Sequence, residues 1–111
     1  MKVEQFLNRN QFHLYDDTLN VDILQSYNSK VVEITNNPGC YQCVKLGRDW
    51  DYSKTTSKHV YAFLEEYSKC YIGNRQNKRK YIIDLLKEYQ ENREQFLDRN
   101  NYAIVYDEEM V

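Results

Sequence analysis

Long apolar runs, glycine and proline are all scarce in this chain, and each scarcity excludes a class of protein. No stretch approaches 18 consecutive apolar residues, so no transmembrane helix is expected. Three glycines and one proline predict no flexible linker and no low-complexity segment. The first ten residues, MKVEQFLNRN, lack an apolar core and carry Glu4 and Arg9, so we expect no signal peptide there.

An excess of charge is missing as well. Fifteen Lys and Arg stand against 17 Asp and Glu, and the formal net charge of -2 argues against a protein whose main task is to coat nucleic acid. The cysteine count of three is odd, and nothing else in the sequence suggests secretion. We therefore expect reduced thiols and a cytoplasmic protein.

The apolar residues that are present suffice for one folded domain. Leu, Ile, Val and Phe make up 27 of the 111 residues, which lies above the fraction of about 20% below which disorder is expected. The length fits a single domain, residues 1–111, with a modest core. Eleven tyrosines provide large, rigid contact area, and we expect some of them on one binding surface.

The first half of the chain predicts strands after a short helix. Residues 2–8 are a helix candidate, residues 12–15 are strand-like, and residues 21–35 indicate mostly strand. Residues 30–46 predict a hairpin, because the turn formers Asn36-Asn37-Pro38-Gly39 separate two apolar runs.

The second half predicts helices. An i, i+3, i+4, i+7 apolar stripe predicts a helix over about 54–68, a second stripe predicts a longer helix over about 76–98, and residues 102–106 predict a strand. The expected fold class is therefore α+β: a small antiparallel sheet, made of the 30–46 hairpin and edge strands near 12–15 and 102–106, packed against two helices.

One short internal similarity links the two ends of the chain. Residues 4–12, EQFLNRNQF, resemble residues 94–102, EQFLDRNNY. We interpret each copy as the end of a helix, a polar break and the start of a strand. Either the same helix-exit chemistry arose twice, or the copies form a pseudo-symmetric pair of edge elements.

The sequence Cys40-Tyr41-Gln42-Cys43 is a CxxC motif, which can indicate zinc or redox chemistry. A zinc site needs four ligands, and only Cys70, His13 and His59 could complete one. A CxxC that leads into a strand lacks the helix N-terminus that activates redox thiols. We expect packed free thiols, no metal and no cofactor.

His59 allows a catalytic hypothesis, with Cys43 or Ser53 as nucleophile and Asp49 or Asp51 as the residue that orients the histidine. No nucleophile motif supports this hypothesis. We therefore predict a protein that is not an enzyme.

A basic cluster lies at the start of the second predicted helix, and cations at that end of a helix oppose its dipole. Flanking tyrosines could stack on bases. An acidic patch of a partner protein, a phosphate backbone or the acidic tail Asp107-Glu108-Glu109 could balance the charge. The predicted partner-binding residues are Arg75, Lys78, Arg79, Lys80, Tyr71 and Tyr81.

The segment that starts at Trp50 is rich in residues that cap helices. It reads Trp50-Asp51-Tyr52-Ser53-Lys54-Thr55-Thr56-Ser57-Lys58-His59. We expect Trp50 to be buried and a hydroxyl of Ser53 or Thr55 to cap the following helix. The predicted structural motif consists of Trp50, Asp51, Tyr52, Ser53, Thr55, Thr56 and His59.

This segment, with Ser26-Tyr27-Asn28-Ser29 before it, resembles a group of small proteins carried by bacteriophages and other mobile elements of Gram-positive bacteria. The resemblance covers about residues 24–65 and implies a location inside a bacterial host cell. It implies no known activity. From the mobile-element context alone we expect a protein that binds a host or rival protein, of which an anti-CRISPR-like inhibitor is one form. A nucleic-acid-binding accessory protein that uses residues 75–80 is the alternative.

Overall fold

The computed structural model describes residues 2–37 and 39–111, without the side chains of Asn8 and Arg9. It contains six strands and three helices in these residues. The strands are β1 (Lys2–Phe6), β2 (Asn8–Asp16), β3 (Val21–Ser26), β4 (Ser29–Thr35), β5 (Gln42–Gly47) and β6 (Tyr102–Asp107). The helices are α1 (Lys54–Tyr67), α2 (Lys78–Glu91) and α3 (Arg93–Asn100).

The strands form one sheet in the order β1-β2-β3-β4-β5-β6, so that neighbours in the chain are neighbours in the sheet. The first five strands pair antiparallel, whereas β6 pairs parallel with β5, with Val44 opposite Ile104. The α+β fold class is confirmed. The prediction of an entirely antiparallel sheet was wrong at β6, because the three helices return the chain to the start of β5 before β6 begins.

The core lies between the sheet and the helices. Helix α1 packs on β3 and β4, while α2 and α3 pack on β6. Alternation along β4 and β5 directs Val32, Ile34, Val44 and Leu46 to the helices, and all four side chains are fully buried. The positions that alternate with them include Glu33 and Lys45, whose charged atoms lie 3.7 Å apart on the other face of the sheet.

Two other sequence predictions need correction. Residues 2–8 form no helix, because residues 2–6 pair with β2 as a strand. Residues 12–15 belong to β2, which is interior because β1 covers its free edge. The prediction that residues 21–35 are mostly strand is confirmed, and the chain turns at Tyr27 and Asn28 between β3 and β4.

The remaining boundaries are close to prediction. Helix α1 and the predicted range 54–68 agree to one residue. The predicted helix 76–98 is instead two helices, because Asn92 ends α2 and caps α3. The turn before β5 contains Gly39 in a left-handed conformation, with φ of 78°; the expected role of Pro38 in that turn lies outside the described residues.

Candidate functional site

The basic cluster is divided between ion pairs and ring contacts. Arg79 Nε lies 2.9 Å from Asp51 Oδ2, and this ion pair connects the first turn of α2 to the loop before α1. Lys80 Nζ lies 2.9 Å from Asp84 Oδ2, one turn further along α2. Two of the predicted partner-binding cations are therefore compensated within the chain.

The other two cations of the cluster contact tyrosine rings. The Arg75 guanidinium lies 4.0 Å from the centre of the Tyr81 ring, and Lys78 Nζ lies 5.8 Å from the centre of the Tyr61 ring. Such contacts place a cation without removing its charge. Tyr71 remains exposed over 67% of its surface.

The acidic tail does not neutralise this cluster. Asp107 Oδ2 lies 4.0 Å from Lys45 Nζ on the neighbouring strand, and the Met110 carbonyl accepts from the Arg48 backbone N–H at 3.1 Å. Gly47 makes this return possible, because a Cβ there would lie 2.7 Å from the Met110 carbonyl oxygen. The tail is thus fixed beside β5, and Asp51 pairs with the cluster in its place.

A groove of about 690 Å³ is lined by one side of α1, from Lys54 to Glu65, and by the first two residues of α2. Its charged and aromatic lining comes from both helices, and we call it the basic groove. Lys54, Lys58 and Tyr61 of α1 and Lys78 and Arg79 of α2 line it, together with Asp51, Glu65 and Ile72. Of these residues, the predicted partner-binding set included only Lys78 and Arg79, while Asp51 belonged to the predicted structural motif.

Both acidic residues of the basic groove already have partners. Asp51 pairs with Arg79, and Glu65 Oε1 accepts from the backbone N–H groups of Ile72 and Gly73. Tyr61 and Ile72 form an apolar floor. Ile72 is fully buried, and Tyr61 is partly buried, which raises the pKa of its hydroxyl. Lys54 and Lys58 stand over this floor without an ion-pair partner among the described residues.

The Trp50 segment forms the junction between the sheet and α1. Trp50 is 3% exposed and belongs to the core, as expected. The Ser53 hydroxyl accepts from the Thr56 backbone N–H at 3.1 Å and so caps α1, which selects Ser53 over Thr55. Thr56 and His59 are buried, while Thr55 is exposed.

Tyr52 differs from the rest of this segment, because 81% of its surface is exposed. It stands at the rim of a second groove, of about 440 Å³, which lies between the β3–β4 turn and the start of α1. We call this the hydroxyl groove. Its lining residues are Ser26, Tyr27, Ser29, Val31, Asp49, Tyr52, Ser53, Thr55 and Thr56. Ser53 also lines the basic groove, so the two grooves adjoin.

A buried polar network was missed by the sequence analysis. His13 Nδ1 lies 2.9 Å from Glu4 Oε1, and His13 Nε2 lies 2.7 Å from Asp22 Oδ1. The Tyr67 ring lies 4.2 Å from the His13 ring, and burial raises the pKa of Tyr67 to about 12. Both imidazole nitrogens are bonded to carboxylates, so neither is free for a substrate. Gln11 and His13 are buried whereas Phe12 and Leu14 are only partly buried, so the polar–apolar alternation of this strand gave no signal for a buried histidine.

The cysteines do not support catalysis. Cys43 is half-buried, and burial raises the pKa of its thiol, which disfavours the nucleophilic thiolate. Cys70 is buried as expected, but Cys40 is exposed, so the prediction that all three thiols are packed was wrong for Cys40. Burial, with Lys58 nearby, lowers the pKa of His59. Within the described residues, no group of three or more His, Cys, Asp or Glu could hold a metal ion.

A six-stranded sheet with three helices on one face, and two adjoining grooves at the start of α1, define the architecture of this α+β protein. Residues 1–84 match a family of unknown function (DUF8033), and the chain belongs to that family. The matched range includes every residue that lines the two grooves. No curated protein and no solved structure matches the chain. Among the described helices, none combines the length and the apolarity that membrane crossing requires.

Proposed function

We propose that this protein is a non-enzymatic binding protein whose basic groove docks an acidic patch of a partner protein. The observation that carries the proposal is the meeting of cations from two helices over one apolar floor. Lys54 and Lys58 come from α1, Lys78 comes from α2, and Arg79 is held in place by Asp51. An acidic side chain that enters the groove meets positive charge on both walls.

The floor of the groove supports a protein partner. Tyr61 and Ala62 line the groove and are partly exposed, so they offer apolar surface, and the lysine stems add methylene groups beside it. An apolar centre with a charged rim is the usual arrangement of a protein–protein interface. Rim charges act mainly by accelerating association, so the lysines are expected to set the on-rate.

The biological setting of the proposal comes from the resemblance to phage and mobile-element proteins. In that setting the partner is a host or rival protein met in the cytoplasm of a bacterial cell, and an anti-CRISPR-like inhibitor is one form of the function. A non-enzymatic role is supported by the Ser53 hydroxyl, which is used to cap α1, and by the protonated state that burial favours for Cys43.

Nucleic acid is the second candidate ligand, and the exposure of two tyrosines favours it. Tyr52 and Tyr71 are 81% and 67% exposed near the basic groove. Exposed aromatic rings beside cations are typical of single-strand binding surfaces, where each base stacked on a ring contributes about 1–3 kcal/mol.

The test uses two triple variants with equal changes of charge. Lys54→Glu, Lys58→Glu and Lys78→Glu reverse the basic groove, whereas Lys30→Glu, Lys69→Glu and Lys87→Glu reverse lysines that do not line it. Binding to a fluorescent poly-glutamate peptide and to a single-stranded oligonucleotide is measured by anisotropy at several salt concentrations. Exposed charges contribute little to stability, so both variants should fold.

We expect the groove variant to lose peptide binding and the control variant to keep most of it. Equal loss in the two variants would show an effect of net charge alone and would contradict the proposal. Tight oligonucleotide binding that weakens steeply with salt and is lost in Tyr52→Ala would favour the second candidate.

A further inference from the structure

Tyr27 occupies a backbone conformation that its side chain disfavours. It is the first residue of the two-residue turn between β3 and β4, and its φ is 56°. The favoured two-residue hairpin turns need a positive φ at this place, which suits glycine, asparagine or aspartate. A bulky residue with positive φ is uncommon, and such outliers concentrate at functional sites.

The side chain of Tyr27 does not contribute to the core in return. It is 62% exposed, and the turn is held by backbone bonds, since the Tyr27 N–H donates to the Asn10 carbonyl at 2.8 Å. A glycine would satisfy the same turn with less strain. The exposed ring lines the hydroxyl groove opposite the β5–α1 loop that carries Tyr52.

The charge of the hydroxyl groove favours a neutral ligand. Asp49 is its only ionisable carboxylate, which disfavours anions. Arg48 Nε already lies 3.7 Å from Asp49 Oδ1, which weakens the attraction for a second cation. The groove therefore differs from the adjoining basic groove in the ligands that it can accept.

The polar groups of the groove fit the hydroxyl groups of a ligand. The Ser29 hydroxyl donates to Asp49 Oδ2 at 3.2 Å, which orients the carboxylate as an acceptor. Thr55 is exposed and also lines the groove, and its hydroxyl can both donate and accept. A volume of about 440 Å³ lies within the range of small-ligand sites.

We propose that the hydroxyl groove binds a neutral sugar ring, with the ring packed on Tyr27 and Tyr52 and its hydroxyl groups bonded to Asp49 and Thr55. A sugar ring combines an apolar C–H face for the tyrosines with hydroxyl groups for the carboxylate and the threonine. The ring can belong to a saccharide or to the ribose of a nucleoside, and both present the same chemistry to these residues. The site shares no charged residue with the basic groove, so this proposal does not depend on the proposed function.

The test is a titration followed by ¹H–¹⁵N NMR with two series of probes. Methyl glucoside and N-acetylglucosamine represent saccharides, and adenosine and uridine represent nucleosides. The wild-type protein is compared with Tyr27→Gly and Tyr52→Ala, and Tyr41→Ala serves as the control because it removes an exposed tyrosine outside the groove. Unfolding in urea is measured for each variant.

We expect saturable shifts of amides in residues 26–31 and 49–56 with at least one series. Each groove variant removes one of the two rings on which the sugar packs, so it should weaken binding roughly tenfold, while the control changes little. Tyr27→Gly should keep the urea midpoint of the wild type or raise it. The series that binds identifies the source of the sugar ring, and binding of both shows that the ring alone is recognised.

Three results would overturn the proposal. The first is the absence of saturable shifts in the groove with either series at about 10 mM, a concentration well above the Kd of roughly 1 mM expected of a single small ring. The second is binding that persists in both Tyr27→Gly and Tyr52→Ala. The third is a lower urea midpoint for Tyr27→Gly, which would give the ring a structural role.

Discussion

Residues 4–12 and residues 94–102 are identical at six of nine positions, yet they fold differently. The first copy forms the end of β1, a tight turn and the start of β2, whereas the second forms α3 and enters β6. In both copies the phenylalanine is buried, with Phe6 at 7% exposure and Phe96 at 0%. The identical residues therefore place the same side chain in the core in both copies, whereas the backbone conformation depends on the segments that flank or pair with each copy.

Those neighbours can be named. Asn92 caps the second copy by accepting from the Gln95 backbone N–H, and Arg99 at the other end complements the helix dipole. The first copy has β2 beside it, and Val3 pairs with Leu14. Helix propensity is a weak preference that pairing along a strand can override.

The largest expected effect separates the two phenylalanines. Phe96→Ala should cost about 3–5 kcal/mol of the free energy of unfolding, because the ring is enclosed by Tyr89 and Tyr102, each with its centre 5.5 Å away. Phe6→Ala should cost less, about 2–3 kcal/mol, because an edge strand can close over the cavity. Urea unfolding measures both, and equal costs would contradict the difference.

The next effect concerns the cap of the second copy. Asn92→Ala removes the side chain that begins α3, and it should cost about 1 kcal/mol. The matched control is Asn74→Ala, which changes an exposed asparagine in the loop before α2. Urea unfolding and far-ultraviolet circular dichroism are the measurements. A cost no larger than that of the control would show that α3 does not need its cap.

The two glutamates that begin the copies should differ by a smaller amount. Glu4→Ala removes the partner of His13 Nδ1 and should cost about 1 kcal/mol or less. Glu94→Ala removes only a favourable charge in the first turn of α3, which is worth about 0.3 kcal/mol. Urea unfolding of both variants at neutral pH measures which of them loses more free energy of unfolding. A larger loss for Glu94→Ala than for Glu4→Ala would contradict our interpretation.

The smallest effect is expected at the turn inside each copy, at Leu7 between β1 and β2 and at Asn101 between α3 and β6. Leu7 has a φ of 66° and an exposed side chain. Leu7→Gly relieves the backbone strain but gives the unfolded chain more conformational entropy, so the net result should be a stabilisation of about 0.5 kcal/mol. Asn101 has a φ of 64°, which asparagine tolerates, so Asn101→Gly should change stability by about 0.3 kcal/mol or less. Destabilisation by Leu7→Gly would exclude strain at Leu7.

Local signals in the sequence predicted the local parts of the fold. The capping residue Ser53 and the apolar stripe after it predicted the position of α1. The turn formers at 36–39 predicted the boundary between the two strands of the hairpin. The conformation of residues 2–6 and the parallel pairing of β6 depend on partners far along the chain, and periodicity carries no information about such partners.

The candidate site shows the same limit. A cluster of cations along residues 75–80 is visible in the sequence, but Lys54 and Lys58 line the same groove as Lys78 only in the folded chain. Tyr27 and Tyr52 are likewise distant in sequence and meet at one groove. The spacing of Lys54, Lys58 and Tyr61 on one helical face was a signal that could have added them to the predicted site.

The order of the sheet has a consequence for how quickly the chain folds. Strands β1 to β5 meet their partners across short turns, so each pairing closes a small loop at little cost in entropy. The β5–β6 pairing must wait for residues 48–101 to be ordered, and contacts between residues so distant in sequence slow folding. During synthesis on the ribosome, β5 therefore keeps an open edge until β6 emerges, and an unpaired edge can recruit strands of other nascent chains.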